Sequence, residues 1–217
     1  MQLLRSLFAS APVPTIEGEG VYLRVPQMSD FPQWSELRGR SRAFLTPWEP
    51  AWSADDLSRS AFRRRMSRYA RDMQADEAYP FLIFRKDDVL LGGLTLSNVR
   101  RGVCQAAVLG YWMGMPFAGK GFMKAAVRAL LPVAHDTLRL HRVEAACMPR
   151  NQPSIQLLRS CGFVNEGYAR NYLCINGRWE DHLMFARLNT DLLGPNPARL
   201  KPHGVMRPQP VGSYSGR

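Results

Sequence analysis

Hydrophobic positions in the first half of the chain alternate between strand-like and helical spacing. Val21–Arg24 predicts a short strand. A helix is expected after it, because Asp30 can cap a helix that has a proline in its first turn. The segment from Asp55 to Met73 carries apolar side chains at near-helical spacing and predicts an amphipathic helix. Two apolar runs, Tyr79–Arg85 and Val89–Leu96, flank a polar turn and predict an antiparallel hairpin.

A third strand is predicted at Gln105–Trp112, and after it the period changes to that of a helix. Phe122 begins a run of apolar residues on one helical face, and Pro132 is expected to weaken the last turn of that helix. The next strand, Val143–Cys147, follows this helical crossover. We therefore expect it to lie parallel to its predecessor.

Turn and cap residues define the last elements. Asn151 predicts the N-terminus of a helix that runs to Cys161, and Gly162 predicts its end. The segments Tyr168–Ile175 and Arg178–Leu188 flank an Asn-Gly pair, which is typical of a β-hairpin turn. The fold class expected is α/β (α+β): an antiparallel N-terminal meander, a central parallel pair and a C-terminal hairpin, flanked by helices.

One domain is expected over residues 19–188. Residues 1–18 lack periodicity and predict a loose lead-in, and residues 189–217 predict a proline-rich basic tail without fixed structure. The four cysteines form no C-x-x-C pair and have no histidine at metal-ligand spacing, so we expect reduced, mostly buried thiols and no metal. The absence of an export signal favours the cytoplasm.

Composition narrows the class of protein. With 217 residues, 46% of them hydrophobic, the chain can bury a globular core, and no apolar run is long enough to cross a membrane. The net charge of +11 favours a polyanionic partner. Six arginines fall in the predicted helix between Arg59 and Arg71. They fit either a solvated helical face or contact with an acidic partner or nucleic acid, and the sequence does not decide between them.

The most informative segment is the loop Gly119-Lys120-Gly121, which follows a strand and leads directly into a helix. Glycines allow close backbone approach, and a helix N-terminus offers unpaired N–H groups and the positive end of the dipole. The loop therefore predicts an anion site, although such a glycine pair also serves as an ordinary turn. The third glycine of a dinucleotide fingerprint and the Lys-Ser pair of a P-loop are missing.

In this order of elements the chain resembles the GNAT superfamily of acetyl-CoA-dependent N-acetyltransferases, over about Val21 to Leu188. Within it, the chain is similar to the branch that acetylates the N-terminal alanine or serine of ribosomal proteins. The segments that carry this second likeness are Phe44–Pro50 (FLTPWEP), His141–Asn151 (HRVEAACMPRN), Leu157–Phe163 (LLRSCGF), Glu166–Tyr168 (EGY), Asn176–Trp179 (NGRW) and Asp181–His182.

The resemblance implies a splayed sheet and an acetyl-CoA site. Pantetheine would pair along the Trp112–Met113 edge, where a strand N–H near Met113 would polarise the thioester carbonyl. The pyrophosphate would bind the N–H groups from Phe117 to Met123. Pro116 stands where the family has a Gln or Arg. The coenzyme-binding residues implied are Trp112, Met113, Phe117, Ala118, Gly119, Lys120, Gly121, Phe122, Met123 and Asn151.

For the leaving sulfur, many family members use a tyrosine at the place that Leu158 occupies here. The ribosomal-protein branch has a serine three residues after the asparagine, so Ser154 is the implied partner of the sulfur, unless it is an ordinary first-turn serine. The branch's glutamate base matches Leu173, which leaves the role unfilled. Glu49, acting through a water, is our first candidate for the base, ahead of Glu144 and Tyr172.

These features predict direct transfer of acetyl from acetyl-CoA to the N-terminal amine of a protein, within a ternary complex. An α-amine has a pKa near 8 and a lysine amine one near 10.4, so an N-terminal acceptor needs only a weak base. The resemblance implies a ribosomal protein as partner, with rRNA contact through the basic surface left open. A monomer or weak dimer is expected. Two alternatives stay open: acetylation of a small amine, and a non-catalytic ribosome-assembly or RNA-binding factor.

Overall fold

A computed structural model describes residues 15–191, with one mixed sheet at its centre. The strands are β1 Ile16–Gly18, β2 Val21–Arg24, β3 Tyr79–Arg85, β4 Leu90–Arg100, β5 Ala106–Met113, β6 Arg142–Cys147, β7 Val164–Ile175 and β8 Arg178–Leu188. They lie in the order β1-β2-β3-β4-β5-β6-β8-β7. All neighbours are antiparallel except β5 and β6, which are parallel. The predicted fold class is confirmed.

Five α-helices flank this sheet in the described part of the chain. They are α1 Phe31–Arg40, α2 Arg42–Leu45, α3 Arg59–Gln74, α4 Phe122–Pro132 and α5 Gln152–Ser160. Short 3-10 turns lie at Met28–Asp30, Thr46–Trp48 and Met115–Phe117. At Pro132 the helix changes from α to π over Val133–Thr137, as expected where proline lacks the N–H of a helical hydrogen bond.

Two details differ from the sequence prediction. Order begins before Val21, because β1 at Ile16–Gly18 pairs antiparallel with β2 inside the segment expected to be loose. The last strand, β8, also lies between β6 and β7, where it pairs with both. The rest of the predicted lead-in, and the tail from residue 192 onward, lie outside the described residues.

The parallel pair is short, and this creates an opening in the sheet. β5 and β6 pair only from Ala106 with Arg142 to Val108 with Glu144. Beyond Val108, β5 continues beside β4 to Met113, whereas β6 continues beside β8 to Cys147. The backbone edge of β5 that faces β6 is therefore available to a ligand.

Side-chain alternation gives the sheet two packed faces. One face packs against α4 and α5, where Val127, Leu130 and Leu158 are buried in the larger core. The other packs against α1 and α3 through a smaller core that contains Trp34 and Phe62. Successive residues of β5 point to opposite faces, so the opening in the sheet contacts both layers.

Candidate active site

A hydrogen bond joins the two sides of the opening. On β5, the Tyr111 hydroxyl lies 2.5 Å from Oγ of Ser154, at the start of α5. Ser154 is 8% exposed. Burial raises the pKa of the Tyr111 phenol, and either of the two hydroxyls can be the donor in this contact.

The sequence around α5 fixes the position of Ser154. Asn151 caps the helix, and its side-chain oxygen accepts the Ser154 backbone N–H at 3.2 Å. Pro153 occupies the first turn, where a missing N–H costs nothing. Burial raises the pKa of the thiol of Cys147, at the end of β6, and an interaction with Ser154 partly offsets this rise in pKa. The cap thus places one hydroxyl at the open end of β6.

The glycine loop leads from β5 into α4 and exposes backbone donors. Gly119 and Gly121 have φ angles of +73° and +83°, in the left-handed region that favours glycine. The first hydrogen bond of α4 runs from Ala125 N–H to Gly121 C=O. The N–H groups of Phe122 and Met123 precede it and have no helical partner, as an anion site requires.

The expected set of loop donors needs one correction. The Phe117 N–H donates to the Gly114 carbonyl at 2.9 Å, and the Ala118 N–H donates to the Met115 carbonyl. The short 3-10 turn before the loop uses both amides. The donors available to a phosphate therefore start at Gly119 rather than at Phe117.

A cavity of about 350 Å³ lies on the other face of the sheet, between α1, α3 and the central strands. Its lining is mostly apolar and aromatic, including Trp34, Trp52 and Trp112. Gly110 and Tyr111 also line it, and they belong to the part of β5 that borders the opening toward β6. The cavity and the opening therefore share a wall.

The cavity wall also carries an ion pair between Arg38, which is buried, and Glu49, which is half-buried. Arg38 donates to both carboxylate oxygens of Glu49, at 3.1 Å and 2.6 Å, and the Trp52 indole N–H donates to the second oxygen at 2.8 Å. The guanidinium is also 4.3 Å from the Trp52 ring and 5.0 Å from the Trp112 ring. The Glu49 carbonyl accepts from Asn176 N–H in the β7–β8 turn, so this loop is held against the terminal hairpin.

Charges in the cavity wall cancel. Arg65 contacts Asp56 at 3.4 Å, and both residues line the cavity together with the Arg38–Glu49 pair. Every other lining residue is uncharged at neutral pH. The site therefore offers no net negative charge to a cationic ligand.

The other predicted residues lie in different surroundings. Glu144 is at the closed, paired end of β6 and contacts Arg100 and Arg142, so it faces neither the opening nor the cavity wall. Tyr172 and Leu173 lie on the β7 strand, each 41% exposed. Of the candidate bases, Glu49 is the one that lines the cavity.

Two residues of the site were not predicted from the sequence. For Tyr111 the sequence predicts only a place in a strand. Arg38 carried a usable signal, because it follows Trp34 by four residues and Leu37 by one, which places a charge on the apolar stripe of α1. A charge at such a position indicates a buried partner.

Some other expectations concern the chain as a whole. In the described part, no three His, Cys, Asp or Glu side chains come together in a group that could hold a metal ion. No helix within residues 15–191 has the length and apolarity to span a membrane. The cysteines are all free, but only Cys147 and Cys161 are buried, whereas Cys104 and Cys174 are exposed.

Comparison with known proteins identifies the relatives of this chain. The acetyltransferase (GNAT) domain family matches residues 21–164. A probable N-acetyltransferase of Bacillus subtilis, YjcK, is 37% identical over 177 residues, which cover 81% of this chain and 98% of that protein. The ribosomal protein uS5-alanine N-acetyltransferase of Escherichia coli is 32% identical, over 84% of this chain and 95% of its own length. RimJ of Mycobacterium smegmatis, solved in complex with CoA-disulfide, superposes with a TM-score of 0.76 at 31% identity and covers 82% of this chain and 87% of its own.

Proposed function

We propose, on the premise that this chain belongs to the GNAT acetyltransferase family, that it transfers acetyl from acetyl-CoA to the N-terminal α-amine of a protein. The family is one of acetyl-CoA-dependent acyltransferases, and the chain is such an enzyme. The acceptor is the proposed part. The observation that carries it is the charge-neutral, aromatic cavity that shares a wall with the opening of the sheet.

The residues around the opening fit acetyl-CoA. The free edge of β5 at Trp112 and Met113 suits the amides of pantetheine, and Asn151 caps α5, whose Ser154 contacts Tyr111 of the same strand. The N–H groups from Gly119 to Met123, which no backbone carbonyl of the described residues is seen to accept, suit a diphosphate. When bound, the coenzyme supplies an activated acetyl thioester. The N–H groups at the end of β5 would polarise the carbonyl of that thioester.

The cavity favours an N-terminal amine over a polyamine. A polyamine carries several positive charges and binds best where carboxylates are unpaired, yet Glu49 and Asp56 are each paired with an arginine. A protein N-terminus carries one amine, with a pKa near 8, so about 10% of it is already neutral at pH 7. The uS5-alanine relative provides the precedent for a ribosomal protein as acceptor.

We assign Glu49 to the acceptor amine. A carboxylate has about four acceptor sites. Arg38 and Trp52 together fill three, and two of these are on Oε2. The remaining site on Oε1 is available to a water that removes the proton from the amine. Because the acceptor is weakly basic, one water-mediated contact is sufficient.

We assign Ser154 to the leaving sulfur. The two hydroxyls of Tyr111 and Ser154 are in hydrogen-bond contact, and either can donate. In the proposed reaction Tyr111 is the donor, and the hydrogen of Ser154 binds the thiolate as negative charge develops on the sulfur. Here the phenol in contact with Ser154 comes from β5, whereas by the family resemblance many members carry a tyrosine on the helix, at the place of Leu158. Tyr111 acts through Ser154 and is therefore a positioning residue.

Acceptor choice is tested with three substrates at equal concentration. They are a short peptide with a free N-terminal alanine, the same peptide with a blocked N-terminus and an internal lysine, and spermidine. We expect acetylation of the first alone, detected by mass spectrometry at the N-terminal residue. Faster acetylation of spermidine, or of the lysine, would reject the proposed acceptor while leaving the family assignment intact.

A further inference from the structure

The outer face of α3 is the most strongly charged surface of the described chain. The helix carries six arginines and a single acidic residue, Asp72, so it holds five of the eleven net positive charges of the protein. Its inner stripe of Phe62, Met66, Tyr69 and Met73 packs against the sheet. The arginines are therefore concentrated on the sides of the helix that face away from the core.

Only part of this charge is neutralised within the molecule. Arg64 pairs with Asp55, and Arg65 pairs with Asp56. Of the other four, Arg59 lies 5.6 Å from the centroid of the Phe31 ring. The remaining three, Arg63, Arg68 and Arg71, are exposed, and no acidic side chain of residues 15–191 lies within ion-pair distance of them. This outer arginine face thus has three guanidinium groups available to a partner.

The composition of the outer arginine face indicates the class of partner. Between the arginines lie Ser60, Ser67, Ala70 and Gln74, all exposed, and none of the large exposed apolar side chains of the described chain is on this helix. A protein partner normally binds through apolar or aromatic anchors at the centre of the interface. Phosphate recognition needs only charge and donors, and the planar guanidinium matches phosphate with two hydrogen bonds.

We propose that the outer arginine face of α3 binds the phosphate backbone of RNA. The same helix lines the acceptor cavity through Arg65, Met66 and Tyr69. A ribonucleoprotein held by its RNA would therefore present its protein N-termini beside that cavity. This last step rests on the proposed function, whereas the binding of RNA does not.

The test measures binding of a fluorescently labelled single-stranded RNA to the full chain by anisotropy, at several salt concentrations and without acetyl-CoA. Each phosphate contact with a single strand contributes about 0.7 to the slope of log K against log salt. The triple variant Arg63→Gln/Arg68→Gln/Arg71→Gln is expected to lose about 2 from this slope and to bind about 100-fold more weakly at about 0.1 M salt. A lysine triple at the same positions keeps the charge and is expected to keep the slope.

A matched control removes the same charge elsewhere. Arg159, Arg170 and Arg178 are also exposed and have no ion pair among the described residues, so their glutamine triple should keep the wild-type slope. Equal losses in both triples would show that net charge alone acts, and would overturn the proposal. A wild-type salt slope in the α3 glutamine triple would also overturn the proposal. The same holds if polyglutamate binds as tightly as RNA and loses as much affinity in the α3 glutamine triple.

Acetylation of a short peptide separates this proposal from the proposed function. The α3 glutamine triple should fold normally by circular dichroism, since exposed helical arginines are replaced by another good helix former. It should also acetylate the peptide at the wild-type rate. RNA binding without any peptide acetylation would reject the proposed acceptor and leave the role of α3 standing.

Discussion

Replacing Ser154 with alanine tests the proton donor of the site directly. The substitution removes one hydroxyl that is 8% exposed and lies 2.5 Å from the Tyr111 phenol. The helix cap is unaffected, because Asn151 binds the backbone N–H of residue 154 rather than its side chain. The change is therefore confined to the hydroxyl pair at the opening of the sheet.

The magnitude follows from the charge that the hydroxyl would stabilise. A hydrogen bond to a charged group contributes about 1.5–3 kcal/mol, which corresponds to a loss of about 10- to 150-fold in kcat for the Ser154→Ala variant. KM should change little, because the interaction strengthens only as charge develops on the sulfur. Tyr111→Phe removes a bond between neutral groups, so its expected loss is smaller, about 2- to 12-fold.

The assay quantifies acetylated peptide by mass spectrometry under saturating substrate, and calorimetry supplies a reading that does not depend on turnover. Relative to wild type, the Ser154→Ala variant should lose more affinity for CoA, which has a free thiol, than for acetyl-CoA. The fold-loss in kcat of the double variant Ser154→Ala/Tyr111→Phe should be smaller than the product of the fold-losses of the two single variants, because the two hydroxyls act as one unit. A folded Ser154→Ala enzyme with kcat within about twofold of wild type would refute the assignment.

Three further changes are predicted. Glu49→Gln should lower kcat/KM for the peptide by about 100-fold, because an amide cannot take up the proton that the water removes from the amine; a rate within about twofold of wild type would contradict this assignment. Gly162→Ala should lower the free energy of unfolding by at least about 2 kcal/mol in urea titration, since φ is +82° and the new Cβ would lie 1.9 Å from Arg187 Nη1. An unchanged midpoint would contradict this. Gly121→Ala and the remote Gly20→Ala both place an alanine in the left-handed backbone region, where the added Cβ meets no heavy atom within 4 Å. Each substitution should therefore cost about 1 kcal/mol of stability through backbone strain alone. Only Gly121→Ala should weaken CoA binding measured by calorimetry.

Local signals predicted much of the scaffold of the site. Apolar spacing predicted α4, and the order of strand, glycine loop and helix predicted the turn from which the first N–H groups of α4 extend without a helical partner. Asn151 predicted the cap of α5 and, through it, the position of Ser154. Each of these features depends on residues within a few positions of one another, where backbone preferences and hydrogen bonds are decided by the local sequence.

Contacts between distant segments could not be predicted in this way. Tyr111 and Ser154 are 43 residues apart, and they meet only because β5 and β6 diverge after Val108. The position of β8 between β6 and β7 could not be predicted for a similar reason. The backbone N–H and C=O groups of a strand can pair with those of any neighbouring strand, so they do not specify which strands become neighbours. Packing of the whole sheet selects among such pairings.

The amino-acid sequence by itself determined the class of fold, the glycine loop before α4 and the basic character of α3, since periodicity, glycine conformations and charge are local properties. Tertiary structure alone decided that Arg38 neutralises Glu49 in the cavity wall and that Tyr111 reaches Ser154. The physical reason is that the charge and proton position of a buried group depend on which partners it meets there, and those partners come from separate elements brought together by packing of the core.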